Sequence, residues 1–309
     1  MEYSTSVIIV TYNSRHLIDR CLGPIYHDDS LEIVVVDNNS SDGTARYIEE
    51  NYPRVLLDAR PDNLGFAKGN NVGIALSKAP VVLLLNPDAF VAHSDQIREL
   101  SSQLMSDPRL AVVGPQLLNA DGSHQTGDCG WRDSLLNTAG HMLLLHRITP
   151  AFRAIYLTNP ALLTHDQVDV DWICGACLMV RRTTLDRLGG LDERIFMYGE
   201  DVEFGERVRD AGFRVAYAPK VKVTHLQGAT QKPQSGGFYS TKWLDVRARK
   251  WAARSTVRFE IFRGLCVAGF AMRAAALTVT SRGRADKLGK AALFWRYLRH
   301  TISLRAARE

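Results

Sequence analysis

The feature that most restricts the fold of this chain is the regular alternation of short apolar runs with helical stretches over its first 115 residues. The apolar runs are typical of strands and cover residues 6–10, 32–36, 54–58 and 81–85. The stretches between them have helical spacing, at residues 16–25, 43–50 and 66–77. Nearly continuous apolar strands are expected where both faces of a sheet are covered. The pattern therefore predicts a mostly parallel α/β sheet.

Short polar clusters follow three of these predicted strands. They are Thr11-Tyr12-Asn13, Asp37-Asn38-Asn39 and Asn86-Pro87-Asp88. Ligands of such sheets gather at the carboxyl ends of the strands, so the three clusters would face one crevice. Any one cluster could equally be a turn, because Asn, Asp and Pro favour turns. All three together favour a binding site.

The rest of the chain is less regular, and the segment 116–163 shows no clear pattern. A β-rich run covers residues 168–181, and helices are predicted at 183–188 and 202–211, the second ending before Gly212. Two further strands are predicted at 213–218 and 221–224, with His225 closing the second.

Three side chains have chemistry suited to a metal and a proton acceptor. Asp88, at the mouth of a buried strand, could hold Mg²⁺ or Mn²⁺, ions that complete their shell with phosphate oxygens and water. Asp201 could act as a general base, although with Glu200 it could also simply favour a helix N-terminus. His225 could be a nitrogen ligand of the same metal or a structural histidine.

Several function classes are excluded by missing motifs. The sequence contains neither G-x-G-x-x-G nor G-x-x-x-x-G-K-[ST], which argues against a nicotinamide dehydrogenase and a P-loop NTPase. Five scattered cysteines do not suggest a disulfide framework, and a reducing cytosolic compartment fits better. The C-x-x-C of Cys174 and Cys177 has no second pair at zinc spacing, so buried structural thiols are expected.

Charge is distributed unevenly along the chain. Residues 240–309 contain 16 Lys and Arg against 4 Asp and Glu, whereas residues 1–239 contain 22 against 29. Basic residues interleaved with aromatic ones predict an amphipathic helix on an anionic membrane surface. The alternative is a helix with a solvated basic face whose apolar side packs on the body of the protein. No nucleic-acid-binding module accompanies the charge.

No secretory leader and no spanning segment are expected from the sequence. The longest apolar stretch, residues 264–280, has Arg273 in its middle. The expected location is the cytoplasm, peripherally on the inner face of the cell membrane.

Taken in order, the motifs resemble the family-2 glycosyltransferases, and among them the bacterial rhamnosyltransferase-type enzymes of surface-polysaccharide assembly. The resemblance extends over about residues 5–230. The motifs are VIIVTYN (7–13), VVVDNNSSDGT (34–44), NLGFAKGNNVG (63–73), LLLNPDA (83–89), CGACLMVRR (174–182), GGLDERIFMYGEDVEF (189–204) and VTH (223–225).

The resemblance implies a GT-A fold, in which a Rossmann-like nucleotide-binding half is fused to an acceptor-binding half around a central mixed sheet. The expected boundaries are 1–115 for the nucleotide-sugar half, 116–235 for the acceptor and catalytic half, and 236–309 for a basic helical tail.

Roles for individual residues are implied in the same way. The nucleotide-sugar would be bound by Thr11, Tyr12, Asn13, Asp37, Asn71, Lys78, Asn86 and Asp88. Asp88 and His225 would hold the metal, Asp201 would be the catalytic base with Glu200 beside it, and Trp172 and Gly175 would face the acceptor. Asn86 replaces the first aspartate of the usual Asp-x-Asp.

The implied reaction is the metal-dependent, inverting transfer of a single sugar. The expected donor is dTDP-rhamnose, with UDP-sugars next, and the expected acceptor is a saccharide or a lipid-diphosphate-linked saccharide. A sugar nucleotidyltransferase and a catalytically idle, membrane-associated nucleotide-sugar-binding module remain as alternatives.

Overall fold

The computed structural model describes residues 3–149, 151–228, 241–281 and 283–306, and these form two compact units. The first unit comprises the described residues of Met1–Gly130 and Tyr156–Gln231, and the second those of Trp131–Ile155 and Lys232–Glu309. Residues 131–155 therefore cluster with the C-terminal helices, and the predicted boundary at 115/116 falls inside a strand. The physical reason is a helix at 135–142 that packs on the longest C-terminal helix.

The first unit is built on a mixed sheet of nine strands. In sheet order these are β3, β2, β1, β4, β10, β6, β11 and β5, with β8 pairing on β11, while β7 and β9 form a separate pair. Their bounds are Thr5–Thr11 (β1), Leu31–Asp37 (β2), Leu56–Ala59 (β3), Val81–Leu85 (β4), Ala89–Phe90 (β5), Leu110–Leu118 (β6), Cys129–Gly130 (β7), Val168–Val170 (β8), Trp172–Ile173 (β9), Cys177–Arg181 (β10) and Arg214–His225 (β11).

The first four strands run parallel, as predicted, and antiparallel β10 joins them to the rest of the sheet. Helices of this unit are Ile18–Tyr26 (α1), Thr44–Asn51 (α2), Gly65–Leu76 (α3), Asp95–Ser106 (α4), Arg182–Leu188 (α6) and Glu200–Asp210 (α7), with 3₁₀ turns at Arg15–Leu17 and Pro160–Thr164. Helix α5 belongs to the second unit.

Both faces of β1, β2 and β4 are covered, which explains why these strands are almost continuously apolar. Val7 and Ile9 belong to a buried cluster that also contains residues of α1 and α4. Ile8 points the other way, toward α3, where a Cβ on Gly73 would lie 2.3 Å from its Cγ2. Glycine lets α3 approach the sheet closely at this point, so the sheet is sandwiched between helices.

Two sequence predictions about strands need correction. The third strand begins at Leu56 rather than at residue 54 and extends to Ala59. The strands predicted at 213–218 and 221–224 are one strand, β11, because it pairs with β6 before and after an irregularity. Ala218 lies opposite Pro115 and Lys222 lies opposite Gln116, so three extra residues bulge between them.

The second unit contains four helices and the 3₁₀ turn Leu145–Arg147. The helices are Leu135–Met142 (α5), Lys242–Arg254 (α8), Thr256–Thr280 (α9) and Ala285–Ser303 (α10). They enclose a small aromatic core that includes Trp251, Phe259, Phe262 and Phe270. The helical tail predicted from the sequence is therefore present.

Helix α9 bears on the expectation that the chain has no spanning segment. By length and composition it is the one helix in the described ranges that could cross a membrane, although a buried helix of a globular protein can pass the same test.

Candidate active site

The loops that follow β1 and β2 are fastened to each other by hydrogen bonds. Asp37, which is 2% exposed, accepts from the Thr11 hydroxyl at 2.7 Å and from the Ser40 hydroxyl at 2.6 Å. Asn13 accepts from the backbone N–H of Ser41 at 2.9 Å. These contacts fix the carboxyl ends of the two strands and leave the Tyr12 ring 45% exposed. Tyr12 is thus the side chain of this cluster best placed to stack on a planar base.

The turn after β4 lies against the turn before β10. The backbone N–H of Asn86 donates to the carbonyl oxygen of Ala176 at 2.9 Å. One residue earlier in that second turn, the backbone N–H of Gly175 donates to Asp201 Oδ2 at 3.0 Å. The structure therefore brings the Asn86–Asp88 turn, Gly175 and Asp201 to one place, although they are distant in sequence.

Asp88 and His225 face each other because β5 pairs with the end of β11. His225 lies opposite Ala89, the residue after Asp88. Asp88 Oδ1 and His225 Nε2 are 3.4 Å apart, and both side chains are more than nine-tenths buried. The two predicted metal ligands are thus neighbours in a mostly dry environment.

Gln125 determines which nitrogen of the His225 ring carries the proton. Its Nε2 donates to the backbone oxygen of His225 and to Asn119 Oδ1, both at 3.0 Å, which fixes the orientation of the amide. Its Oε1 must then accept from His225 Nδ1, 2.6 Å away. The proton of a neutral ring therefore lies on Nδ1, and Nε2 presents a lone pair to Asp88 Oδ1.

Two lone-pair atoms 3.4 Å apart repel each other unless a proton or a cation lies beside both. A nitrogen and a carboxylate oxygen, with the second ring nitrogen held by a hydrogen bond, are typical of a divalent metal site. The pair therefore fits a divalent cation. No group of three or more His, Cys, Asp or Glu that could hold a metal occurs among the described residues, so phosphate oxygens and water would have to complete the shell.

Glu200 and Asp201 begin helix α7 directly after two residues in the left-handed region. Tyr198 has φ 72° and Gly199 has φ 101°. A non-glycine residue is uncommon in this conformation, which therefore marks a constrained turn. The turn places the Asp201 carboxylate against the Gly175 N–H and places Glu200 inside, where it is 5% exposed.

Burial raises the pKa of both carboxyl groups. For Asp201 the hydrogen bonds from the backbone N–H groups of Gly175 and Val202 partly offset this effect. For Glu200, burial and the neighbouring charge of Asp201 raise the pKa well above its ordinary value. Within the described residues Glu200 Oε2 has no hydrogen-bond partner. Asp201 is therefore the member of the pair better suited to be ionised, and Glu200 favours the protonated form.

Two of the predicted site residues are engaged in holding the fold. Asn71 donates to the Leu191 oxygen at 2.8 Å and to Glu193 Oε1 at 3.1 Å, and accepts from the Leu191 N–H at 2.8 Å. It thus ties α3 to the loop that leads to α7. Trp172 is 4% exposed and lies beneath α7. A Cβ added at Gly205 would be 2.7 Å from the Cβ of Trp172.

Lys78 is not brought to this site. It precedes β4, and its backbone N–H donates to Glu32 Oε2 at 2.7 Å, near the amino end of β2. The carboxyl end of β4 lies a whole strand away, about 16 Å for five residues. A position before the strand, rather than after it, is the reason that Lys78 does not fit the predicted phosphate contact.

Sequence reasoning missed Gln125 and Phe196. Phe196 accepts a backbone hydrogen bond from Phe66 at 2.9 Å and packs on Gly65, whose φ of 78° suits a residue without a side chain. The unassigned segment 116–163 gave no signal for Gln125, which lies 100 residues from its partner. The five cysteines are free, and Cys21, Cys129 and Cys266 are buried. Of the C-x-x-C pair, Cys177 is buried, as expected, whereas Cys174 is only partly buried.

The chain matches two glycosyltransferase family profiles. Glycosyl transferase family 2 matches residues 6–153, and glycosyl transferase family 21 matches residues 149–308. An N-acetylglucosaminyl-diphospho-decaprenol L-rhamnosyltransferase of Mycobacterium tuberculosis is 30% identical over 239 residues, which are 71% of this chain and 75% of that protein. Rhamnosyltransferase WbbL of Escherichia coli K12 is 23% identical, over 82% of this chain and 91% of that protein.

Solved structures share the fold. The mannosyltransferase PcManGT from Pyrobaculum calidifontis, in complex with GDP-Man and Mn²⁺, superposes with a TM-score of 0.59 at 19% identity, covering 98% of this chain and 86% of that one. The mixed sheet, the helices on both its faces and this likeness define the GT-A fold. The chain therefore belongs to the family-2 glycosyltransferases and, among them, resembles the rhamnosyltransferases.

Proposed function

We propose that this enzyme transfers a single rhamnose from dTDP-rhamnose, with inversion, to a lipid-diphosphate-linked saccharide in the synthesis of a cell-surface polysaccharide. The relative from M. tuberculosis, whose name specifies a rhamnosyl transfer to a diphospho-decaprenol-linked sugar, supports the choice of transferred sugar and of acceptor. UDP-sugars are the second choice of donor. Such an acceptor is held in a membrane, so the proposed location is the cytoplasmic face of the cell membrane.

The observation that carries the proposal is the position of Asp201. Its carboxylate is fastened to Gly175 in the turn that contacts the Asn86–Asp88 turn, so one base lies next to the site for a diphosphate. A raised pKa makes Asp201 a better proton acceptor than an ordinary carboxylate. Glu200, which favours its protonated form, would orient the acceptor by donating a hydrogen bond.

The reaction follows from this arrangement as a single displacement. Asp201 takes the proton of an acceptor hydroxyl as its oxygen bonds to the anomeric carbon of the donor. The bond from that carbon to the diphosphate breaks, and its electron pair leaves with the diphosphate. Attack from the opposite face inverts the configuration. A divalent cation held by Asp88 and His225 would supply positive charge for the leaving diphosphate.

At the nucleotide end, Tyr12 would stack on the base, and Asp37, Thr11 and Asn13 would keep the loop beneath it in place. The exposure of Tyr12 and the hydrogen bonds of the other three support this division of roles. Trp172 supports α7 from below, and Gly175 leaves space beside Asp201, since a side chain there would meet the Phe66 ring at 3.0 Å.

The proposal is tested by incubating the enzyme with dTDP-rhamnose or UDP-sugars, a polyprenyl-diphosphate-linked N-acetylglucosamine and Mn²⁺. Mass spectrometry of the lipid product should show one added deoxyhexose, and its anomeric configuration should be opposite to that of the donor. A chelator should stop the reaction and fresh Mn²⁺ should restore it. Transfer of another sugar would replace the proposed donor, and undiminished transfer by Asp201→Asn would remove the proposed base.

A further inference from the structure

One face of helix α9 is buried inside the second unit. Phe259, Phe262, Cys266, Phe270 and Ala274 are each at most 3% exposed and recur at helical intervals. They belong to the aromatic core of the second unit, where Phe270 contacts Phe294 and Tyr297 of α10. This face therefore has its partners within the chain.

The opposite face of α9 is apolar and exposed. Val257 is 68% exposed, Ile261 47%, Met272 40% and Val279 81%. With Ala268 between them, these residues lie within one stripe, because intervals of four, seven, four and seven residues return to one side of an α-helix. Over 22 residues the stripe is about 33 Å long. We call these five residues the outer face of α9; it contains no charged side chain.

Arg273, the charge in the middle of this helix, does not interrupt the outer face. Its guanidinium donates to the backbone oxygens of Met142 at 2.5 Å and of His141 at 2.6 Å, at the end of α5. It also donates to the Gly269 oxygen at 3.1 Å. The arginine therefore satisfies the carbonyl groups of a helix C-terminus inside its own unit and points away from the stripe.

The surface of the C-terminal helices is strongly basic. Within residues 241–281 and 283–306, one exposed acidic side chain, Glu260, is described. Trp295, a residue type favoured at membrane interfaces, is 41% exposed and donates to Thr278 near the end of the stripe. The exposed basic side chains are Lys242, Arg249, Arg254, Arg258, Arg284, Lys290, Arg296, Arg299 and Arg305.

We propose that the outer face of α9 is immersed in an anionic lipid surface, with the helix axis in the plane of the membrane. An apolar stripe on a group of helices whose exposed charged side chains are almost all basic matches the acyl boundary and the anionic headgroups of such a surface. A spanning orientation is disfavoured because Arg273 would enter the hydrocarbon and because the opposite face of the helix is already packed inside the second unit. This inference goes beyond the proposed transfer reaction and does not depend on the donor or the acceptor.

The test is flotation of the full-length protein with vesicles of phosphatidylcholine alone or with 30% phosphatidylglycerol. Wild type should float with the anionic vesicles. The double variant I261E/M272E should lose at least about 100-fold in partition coefficient, since two immersed side chains are removed from the apolar layer. Leu76→Glu is the matched control, because Leu76 is 39% exposed on α3 of the first unit and should leave binding unchanged.

The double variant should keep its circular dichroism and its donor hydrolysis in detergent, because both substituted side chains are exposed. Equal flotation of I261E/M272E and wild type would overturn the proposal. A second outcome would also overturn it: wild type does not bind vesicles but forms a concentration-dependent dimer in light scattering, and I261E/M272E abolishes that dimer. A second copy of the chain would then cover this face. If the wild-type protein floats with anionic vesicles but transfers no sugar, the result counts only against the proposed reaction.

Discussion

Gln125 and His225 are joined at two points: the amide oxygen of Gln125 is 2.6 Å from Nδ1 of the His225 ring, and its amide nitrogen donates to the His225 backbone oxygen at 3.0 Å. One side chain therefore sets both the ring tautomer and the ring orientation at the proposed metal site. Hydrogen-bond partners of metal-binding histidines contribute to metal affinity through these two effects.

Gln125→Ala should weaken Mn²⁺ binding by about 10–100-fold. Electron paramagnetic resonance of free Mn²⁺ in the presence of a nucleoside diphosphate would measure this without any turnover. Gln103→Ala is the control, because Gln103 on α4 bonds to Glu99 and Gln167, which are not part of the site. Unchanged Mn²⁺ affinity in Gln125→Ala would remove Gln125 from this positioning role.

The variants Asp201→Asn and Glu200→Gln should differ in kcat, because the two carboxyl groups are expected to have different roles. Loss of the base should lower kcat by at least about 10²-fold, whereas Gln imitates a protonated Glu200 and should keep kcat within about tenfold of wild type. In wild type, kcat/KM should fall on acidification at a higher pH than for an ordinary carboxylate, because burial raises the Asp201 pKa. A larger loss in Glu200→Gln than in Asp201→Asn would reverse the assignment.

Glu200 should also make stability depend on pH. Its pKa is raised in the folded state, so the native protein binds the proton more tightly than the unfolded chain. This contribution is complete below the unfolded pKa of about 4.3 and is lost as pH rises through the folded pKa. Glu200→Gln cannot ionise, so its Tm should exceed that of wild type by a margin that grows with pH. Each kcal/mol corresponds to about 2 °C.

Differential scanning fluorimetry across this pH range would measure the margin. Glu99→Gln, at an exposed position on α4, is the control and should follow wild type. A margin for Glu200→Gln that stays constant with pH would show that Glu200 does not titrate as its burial implies.

Gly190→Ala should disturb the tie between α3 and the loop before α7. A Cβ at Gly190 would lie 2.1 Å from Asn71 Oδ1, the atom that accepts from the Leu191 N–H. The substitution should cost about 1–3 kcal/mol, seen as a lower urea midpoint. Gly289→Ala, in α10 with nothing within 4 Å of the added carbon, should be neutral or stabilising. Equal urea midpoints for wild type and Gly190→Ala would show that the loop can shift to accommodate the added carbon.

Local sequence patterns were sufficient for the parallel half of the sheet. Three of its strands, β1, β2 and β4, are buried on both faces, so their composition is set by the sheet itself. The edge strand β3 is partly exposed, and both of its predicted ends were displaced. The pattern failed at β11 because a bulge interrupts its hydropathy without ending the strand. It also failed at residues 131–155, whose helix α5 packs on α9 more than 100 residues later.

Site residues could be predicted from the sequence where they directly follow a strand. They could not be predicted where their role depends on a contact with a residue distant in sequence. The proximity of Asp88 and His225 agrees with the ligand pair predicted from the motifs, whose metal-binding role stays a prediction. Lys78 could not be placed correctly, because basic residues that could bind phosphates also precede strands. Asn71 ties α3 to the loop before α7, and its contact to the nucleotide-sugar stays a prediction. Gln125 could not be found, since its role arises only from the fold.

The bulge in β11 also limits how this protein can change in length. Side chains alternate between the two faces of a strand, so a one-residue deletion between Ala218 and Lys222 that kept the pairing before it would turn His225 away from Asp88. The same deletion in the turn before β11 could be absorbed by that turn. Length variation tolerated by an active enzyme should therefore spare residues 218–225 and occur upstream of Arg214.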